Sequence, residues 1–268
     1  MTENKKTSVD NLLNIMARLR DPEKGCPWDC RQTAESISGY TLEEAYEVYD
    51  AVASADMDAL RDELGDLLFH IVFYARIAEE QGSFNFSDIV QAACDKMIRR
   101  HPHIFGGDKT IPDWEQLKRQ ERVQHRQTGI LSGIAKALPA ATRAYKLQSR
   151  AATVGFDWDK PDLVLDKIVE ESGELRAEIA QKEHESERED EMGDLLFACV
   201  NLARKLKIDP EKALKRTNAK FERRFSYIEE TLRQRNQPFE QTSLEEMEAL
   251  WVEAKKKEKQ QPSNDPTN

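Results

Sequence analysis

The stretch "IVEESGEL" (residues 168–175) places three glutamates within five positions, and "EDEMGDLLFACV" (189–200) follows it with further acids and an apolar run. On a helix, residues three and four positions apart are neighbours, so the ExxE spacing of the first stretch and the ExxD spacing of the second each pair two carboxylates. The run "LLFACV" is apolar on more than one side of a helix, which is typical of helices inside a bundle. The two stretches therefore predict a helical bundle that carries paired acids.

The composition also favours helices. The chain has 268 residues, only 11 glycines and 10 prolines, and 34% charged residues. Long segments rich in Ala, Leu, Glu, Lys, Arg and Gln, with few helix breakers and no convincing alternating strand pattern, predict an all-α fold.

The charge pattern bears on partners and location. The formal net charge of −10 argues against nucleic acid or an anionic membrane as the main partner. The first ten residues lack an apolar signal-peptide core, and no stretch reaches the ~18 apolar residues of a membrane span. We expect a soluble, cytoplasmic protein that binds neither nucleic acid nor membrane.

The acid pattern occurs twice. "TLEEAYEVYDAV" (41–52) and "RDELGDLLFHIV" (61–72) repeat the two stretches above at offsets of 127 and 128 positions. Several matched blocks in the same order indicate two homologous domains rather than chance. The matched acids are Glu43, Glu44, Glu47, Glu63 and Asp66 in the first copy and Glu170, Glu171, Glu174, Glu191 and Asp194 in the second.

Domain limits follow from the repeat and from the segments that break it. We predict a first helical-bundle domain over residues 1–125 and a second over 150–258. Gly129, Gly133 and Pro139 punctuate the segment between them, which predicts a connector over 126–149. The polar, Pro- and Asn-containing end of the chain predicts a disordered tail over 259–268.

Helix limits and faces can be placed coarsely. Pro161, after Asp159, is expected near the start of a helix, because proline is tolerated in the first helical turn. The apolar residues of three helices of the second domain recur at helical spacing. The side chains predicted to face inward are Ile168, Leu175 and Ile179; then Met192, Leu195, Leu196, Cys199, Ala203 and Leu206; and then Phe221, Phe225, Ile228 and Leu232.

The paired acids need a counter-charge. Burying four unpaired carboxylates is prohibitive, so each would be neutralised or would face a cation. Four oxygen ligands without His or Cys suit Mg²⁺, or Mn²⁺ as a substitute, better than zinc. Glu-rich helices are often merely solvated, but an ExxE–ExxD arrangement found twice is less ordinary. A di-iron bundle is disfavoured because its usual Glu-x-x-His pairs are missing.

The cysteines offer an alternative metal site. Cys26 and Cys30 in "CPWDC" lack a second ligand pair, so we interpret them as free thiols rather than zinc ligands.

A magnesium ion that shares its coordination shell with phosphates implies cations nearby. Lys220, Arg223 and Arg224 lie on one helical face, and Lys167 precedes the first acid pair by one turn. Together they could clamp a polyphosphate chain. Trp251 could either stack on a base or pack in the core.

These residues carry a resemblance to a known family. The doubled EExxE…ExxD pattern, with "GCPWD" (25–29) near the start and "RAATVGFDW" (150–158) before the second copy, resembles the two-domain bacterial MazG nucleoside triphosphate pyrophosphohydrolases. The resemblance covers nearly the whole chain. It implies an all-α homodimer that uses Mg²⁺ to hydrolyse NTPs and dNTPs to the monophosphate and pyrophosphate. Base selectivity in the family is broad, which suits the clearance of unwanted or non-standard nucleotides.

The resemblance also assigns residues. It implies metal ligation at the second acid set and nucleotide contacts around it. In the first copy all four acids survive, but Tyr40 stands at the position of Lys167, which favours the second domain as the main site. The metal ligands implied are Glu171, Glu174, Glu191 and Asp194, and the nucleotide contacts implied are Lys167, Glu170, Lys220, Arg224 and Trp251. We add Arg223, from its place on the same helical face, and Glu171 as substrate-binding residues, and we expect Glu170, Glu171 and Glu174 to be the catalytic residues.

A mechanism can be outlined as a hypothesis. Mg²⁺ would neutralise charge on the triphosphate and activate a water molecule, and Glu170 or Glu174 would take the proton. Attack at the α- or the β-phosphorus remains open. The chain has no GxxxxGK[ST] loop, which argues against an ordinary ATPase that releases the γ-phosphate.

Two other functions remain open at this point. A non-catalytic helical adaptor could bind metal for stability, although it would leave the Lys/Arg clusters unexplained. A pyrophosphatase selective for one nucleotide, such as dUTP, is harder to separate from the broad enzyme, because the residues that contact the base are not readable from spacing.

Overall fold

Helices form all the regular structure that the computed structural model describes, which covers residues 8–106, 117, 121, 129–181 and 184–260. No strand occurs among these residues, so the predicted all-α class is confirmed. The chain divides into two compact units, unit 1 (Met1–Gln120) and unit 2 (Glu121–Asn268). No helix in the described part of the chain is long and apolar enough to cross a membrane.

Unit 1 is built around two long helices joined by a short turn. The longest helix, α4, packs against α3 along one side and against α1 on another. The helices of unit 1 are α1 (Val9–Leu19), α2 (Pro27–Arg31), α3 (Ser38–Ala53), α4 (Met57–Glu80), α5 (Phe86–Arg100) and α6 (Pro102–Phe105).

Local signals explain where these helices begin. The Asp56 side chain caps α4 by accepting from the backbone N–H groups of Asp58 and Ala59 at 3.1 and 3.0 Å. Asn85 and Asp88 form a reciprocal capping box at the start of α5. Pro102 separates α5 from the short α6, as expected for a residue that cannot continue a helix.

A buried cluster on α1 and α4 holds unit 1 together. Met16, Ile37, Val72 and Phe73 are almost fully buried. The Arg20 guanidinium lies over the ring of Phe73, with its Cζ atom 5.2 Å from the ring centroid.

Arg20 connects three segments of unit 1. Its Nη2 donates to the Glu80 carboxylate at 2.7 Å, and its Nη1 donates to the carbonyl oxygens of Asp29 and Gln32 at 2.5 and 3.1 Å. The guanidinium therefore ties the end of α1 and the α2 segment to the end of α4.

This ion pair gives a pH dependence with a definite sign. The hydrogen bonds from Arg20, with a smaller contribution from Arg76, hold the pKa of Glu80 below its usual value of 4.5. A depressed carboxyl pKa contributes stability above the unfolded-state pKa and loses it as the pH falls through the folded-state pKa. We expect Glu80→Gln to lower the free energy of unfolding by about 1–2 kcal/mol at pH 7, since Glu80 is partly exposed.

The measurement is denaturant unfolding of both proteins from pH 7 to pH 3. The difference should shrink below about pH 4.5. Glu79→Gln is the matched control: Glu79 also pairs with Arg76, at 3.1 Å, but is more exposed, so its effect should stay below about 0.5 kcal/mol. A difference that grows on acidification would contradict the assignment.

Unit 2 repeats the central helix pair and adds three helices around it. Helices α8 and α9 pack against each other along their length, α7 packs on α9 and α10, and α11 packs on α10. Helix α7 covers the end of the segment predicted as a connector (126–149) and continues to Ala152, inside the predicted second domain. The helices of unit 2 are α7 (Ala140–Ala152), α8 (Pro161–Ile179), α9 (Glu185–Lys205), α10 (Pro210–Gln234) and α11 (Leu244–Gln260), with a 3₁₀ turn at Phe239–Gln241.

The predicted start at Pro161 is confirmed, although Asp159 does not cap the helix: the N-cap is Lys160, without a side-chain hydrogen bond. The predicted tail begins inside α11, which includes Lys259 and Gln260. Residues 261–268 lie outside the described part.

The predicted inward faces are only partly correct. Leu175, Ile228 and Leu232 are buried, as expected. On α9 the buried residues are Ala198, Val200 and Asn201 instead of the predicted face, because α7 and α8 pack on a different side of that helix. The predictions were wrong for the residues that are exposed, namely Ile179, Met192, Leu196, Cys199, Leu206, Phe221 and Phe225.

Candidate active site

Three acids of unit 2 meet where α8 and α9 pack side by side. Glu171 comes from α8, and Glu191 and Asp194 from the first turns of α9; carboxylate oxygens of the three lie within 4.8 Å of one another. Glu171 is buried, with 5% of its surface exposed. The helical spacing explains this meeting, because the ExxD pair on α9 faces α8.

Glu174, the fourth predicted ligand, lies beside this group rather than in it. Its carboxyl shares a hydrogen bond with Glu171, and this bond, together with partial desolvation and the charge of Glu171, raises the pKa of Glu174. Desolvation followed by the negative charges of Glu171 and Asp194 likewise raises the pKa of Glu191. The neighbouring negative charges therefore favour the protonated forms of Glu174 and Glu191.

Among the described residues, Lys167 is a cation that faces this cluster directly. Lys167 Nζ lies 2.7 Å from Glu170 Oε1 and 2.7 Å from Glu171 Oε1. These two contacts raise the pKa of Lys167, so the ammonium stays charged. A single lysine offsets only part of the negative charge of the four acids.

Unit 1 has a corresponding cluster. Carboxylate oxygens of Glu44, Glu63 and Asp66 also lie within 4.8 Å of one another. Glu44 Oε2 is buried without a hydrogen-bond partner among the described residues. Burial and then the charge of Asp66 raise the pKa of Glu44. Tyr40, at the position of Lys167, is half exposed.

Both clusters fit a divalent cation. Each offers at least three hard oxygen ligands at one point, with unfavourable mutual repulsion and, in unit 1, an unsatisfied buried oxygen. Neither cluster includes a sulfur or imidazole ligand, and such oxygen-only sets suit Mg²⁺, Ca²⁺ or Mn²⁺.

A cavity opens directly beside the unit 2 cluster. It has a volume of about 220 Å³ and is polar at one end, where Lys167, Glu171 and Asp194 line it. Its remaining lining is mostly apolar and comes from the segment before α8, from α8 and from α9. These residues are Trp158, Val164, Phe197, Ala198 and Asn201.

Unit 1 carries bulkier residues at the equivalent positions. At the offset of 128, His70 corresponds to Ala198 and Phe73 to Asn201. Both are buried in unit 1, and Phe73 belongs to its core. His70 Nε2 lies 3.8 Å from Glu44 Oε1, so the imidazole stands where unit 2 has open space next to the acids.

The other predicted substrate contacts form a second group, on α10 and α11. Arg224 Nε donates to Glu258 Oε2 at 2.8 Å, and Arg223 Nε lies 3.5 Å from the other oxygen of Glu258. The Arg224 guanidinium lies over the Trp251 ring, 5.4 Å from its centroid. Lys220 is half-buried on the same helix. No hydrogen bond or ion pair between described residues joins this group to the carboxylate cluster.

Comparison with known proteins identifies the family. Residues 32–105 and 160–228 match the MazG nucleotide pyrophosphohydrolase domain. The chain is 49% identical over 257 residues to a nucleoside triphosphate pyrophosphohydrolase of Escherichia coli (strain K12), covering 93% of this chain and 98% of that protein. The chain belongs to the MazG family. The resemblance inferred from the repeated acids is thereby confirmed.

Two further MazG relatives differ in length. The nucleoside triphosphate pyrophosphohydrolase/pyrophosphatase MazG of Thermotoga maritima is 40% identical over 248 residues, which cover 92% of this chain and 95% of that protein. The protein YabN of Bacillus subtilis (strain 168) is 42% identical over 252 residues, 92% of this chain but 51% of that protein.

Each MazG segment of the chain holds one acid cluster. The first contains Glu44, and the second contains Glu171 together with Ala198 and Asn201. Trp158 falls just before the second segment and Trp251 after it.

Sequence reasoning missed the cavity residues Trp158, Ala198 and Asn201. The repeat itself held a usable signal for two of them, because unit 2 has Ala198 and Asn201 where unit 1 has the bulky rings of His70 and Phe73.

Proposed function

We propose that this MazG protein hydrolyses nucleoside triphosphates, both NTPs and dNTPs with a broad range of bases, to the monophosphate and pyrophosphate. Such an activity would clear unwanted or non-standard nucleotides. The observation that carries the proposal is the carboxylate cluster of unit 2 at the mouth of a cavity. The activity for which the Escherichia coli and Thermotoga maritima relatives are named agrees with it.

We propose unit 2 as the location of the main active site. Its acids adjoin an open cavity and Lys167, whereas unit 1 has His70, Phe73 and Tyr40 at the matching positions. Unit 1 would then mainly support assembly, and the two units would be homologous domains.

Magnesium would be held by Glu171, Glu191 and Asp194, with Glu174 adjacent, and Mn²⁺ could replace it. The ion would supply charge neutralisation on the phosphate oxygens and a more acidic water. Glu174 is the favoured proton acceptor, since its carboxyl lies directly beside that of Glu171. Glu170 is the alternative acceptor, but its Oε1 already contacts Lys167.

The cations would bind the phosphate chain. Lys167 is next to the acids, so it is suited to phosphates bound there. Lys220, Arg223 and Arg224 would contact the substrate from α10, with Trp251 beside Arg224.

A homodimer is part of the proposal. Several apolar side chains of α8 and α9 are exposed in the single chain, including Leu165, Val169 and Leu196. Apolar surface on adjacent helices is typical of a face that a second copy covers.

The test is pyrophosphate and monophosphate release from the eight common NTPs and dNTPs, and in a separate assay from dUTP, with Mg²⁺. We expect release from all eight, with rates within about a hundredfold of one another. Turnover of dUTP alone would favour a base-selective enzyme, and no pyrophosphate from any nucleotide would favour a non-catalytic metal-binding adaptor.

A further inference from the structure

The cavity of unit 2 has a shape and lining that suit one part of a nucleotide. Its volume of about 220 Å³ is below the ~300–1,000 Å³ of pockets for whole drug-sized ligands. The acids and Lys167 lie at one end, and Trp158, Val164 and Phe197 line the rest. A triphosphate bound at the acids would leave the apolar end for a flat ring.

Asn201 is the buried polar residue at this apolar end. Only 4% of its surface is exposed. Its Oδ1 accepts from Arg204 Nε at 2.9 Å and from Arg204 Nη2 at 2.7 Å. Arginine can only donate, so this contact fixes which end of the amide is oxygen. The Nδ2 group is left with no hydrogen-bond partner among the described residues.

The arginine that orients Asn201 is itself held in place. Arg204 Nη2 also donates to Asp157 Oδ1, and Lys205 Nζ donates to Asp157 Oδ2 at 2.7 Å. Burial tends to raise the pKa of Asp157, but the hydrogen bonds from Arg204 and Lys205 outweigh it and hold that pKa below its usual value. Asp157 directly precedes Trp158, so one ionic contact positions both the amide and the aromatic wall of the cavity.

We propose that this cavity receives the nucleobase and that Asn201 is a specificity-determining residue that favours bases with an exocyclic oxygen over bases with an exocyclic amino group at the edge it faces. The inference rests on the proposed pyrophosphohydrolase function. An amide whose acceptor is occupied offers only N–H donors. A carbonyl oxygen of the base satisfies such a donor, whereas an amino group would leave two donors facing each other in a buried site.

The repeat supports the assignment. Arg76 stands at the position of Arg204 in unit 1, but Phe73 replaces Asn201. Without the amide, Arg76 pairs instead with Glu79 and Glu80. The amide donor of Asn201 is therefore a feature of unit 2, whose acids adjoin the cavity, and Phe73 stands in its place in unit 1.

The test compares bases in which an exocyclic oxygen is exchanged for an amino group and the adjacent ring nitrogen changes from an N–H donor to an acceptor: dUTP with dCTP, and dITP with dATP. Wild type should have the higher kcat/KM for the oxygen-bearing member of at least one pair. In Asn201→Asp the carboxylate keeps the contact with Arg204 and replaces the free donor by an acceptor. The ratio of kcat/KM for dUTP over dCTP should fall by about tenfold or more, and Asn201→Ala should bring the ratio close to one.

A second readout separates recognition from turnover. Calorimetric affinities of the α,β-methylene analogues of dUTP and dCTP should shift in the same direction in Asn201→Asp. Equal losses for all four nucleotides, or unchanged ratios with wild-type activity intact, would overturn the inference. Absence of pyrophosphate release by wild type would instead overturn the proposed function.

Discussion

Glu171→Gln is expected to lower pyrophosphate release from dGTP by about 10³-fold or more, whereas Glu44→Gln should retain activity within about threefold of wild type. Glu171 is the buried member of the unit 2 cluster: its carboxylate lies within 4.8 Å of carboxylate oxygens of Glu191 and Asp194 and 2.7 Å from Lys167 Nζ. The amide keeps its shape but removes the charge that balances a divalent cation and Lys167. Glu44 holds the equivalent place in a unit where His70 occupies the space beside the acids.

The measurement is initial-rate pyrophosphate release with saturating Mg²⁺, supported by circular dichroism to confirm that each variant is folded. Glu187→Gln is the matched control, because it makes the same chemical change on the exposed first turn of α9 and should leave the rate unchanged. Equal losses in Glu171→Gln and Glu44→Gln would mean that both units catalyse, which would reverse our placement of the main site.

Ala198→His is expected to lower kcat/KM for dGTP by about 10²-fold while leaving the fold intact. Ala198 lines the cavity next to Asp194, and histidine is the residue that unit 1 carries at this position, where it is buried. An imidazole there would fill the space that we assign to substrate, and overfilled sites lose binding through steric conflict. The substitution transfers one feature of unit 1 to unit 2.

Ala198→Ser controls for polarity without adding comparable bulk, and its kcat/KM should stay within about threefold of wild type. Steady-state kinetics and thermal melting of both variants form the measurement. Activity of Ala198→His equal to that of Ala198→Ser would show that the cavity is not used by substrate.

The sequence predicted most of what depends on local spacing. The ExxE and ExxD pairs identified the acids, and Pro161 marked the start of α8 correctly, because both signals act within one or two helical turns. The sequence also showed a difference between the two halves, because Tyr40 stands in the first half at the position that Lys167 holds in the second. Glu174 was also predicted as a ligand, and its carboxyl lies next to Glu171, beside the group that Glu171 forms with the two acids of α9.

What depends on packing between distant residues could not be predicted. The apolar pattern of α9 does not say which side faces α7, so Leu196 was placed inside although it is exposed. The cavity depends on Asp157 meeting Arg204, a contact across 47 positions of the chain. The periodicity of a helix or a strand does not encode such a long-range contact. A comparison of the two copies of the repeat gives an indirect indication of the cavity.

The contacts of Arg20 have a consequence for local unfolding. One guanidinium joins the end of α1, the Asp29–Gln32 carbonyls and Glu80, and the intervening turn adds the backbone bonds from Gly25 N–H to Asp21 and from Cys26 N–H to Leu19. Amide protons in a segment held by shared contacts exchange with solvent when the whole segment opens at once. The amides of Gly25, Cys26 and Cys30 should therefore share one opening free energy, and hydrogen exchange would show residues 20–32 as a single cooperative subunit of folding.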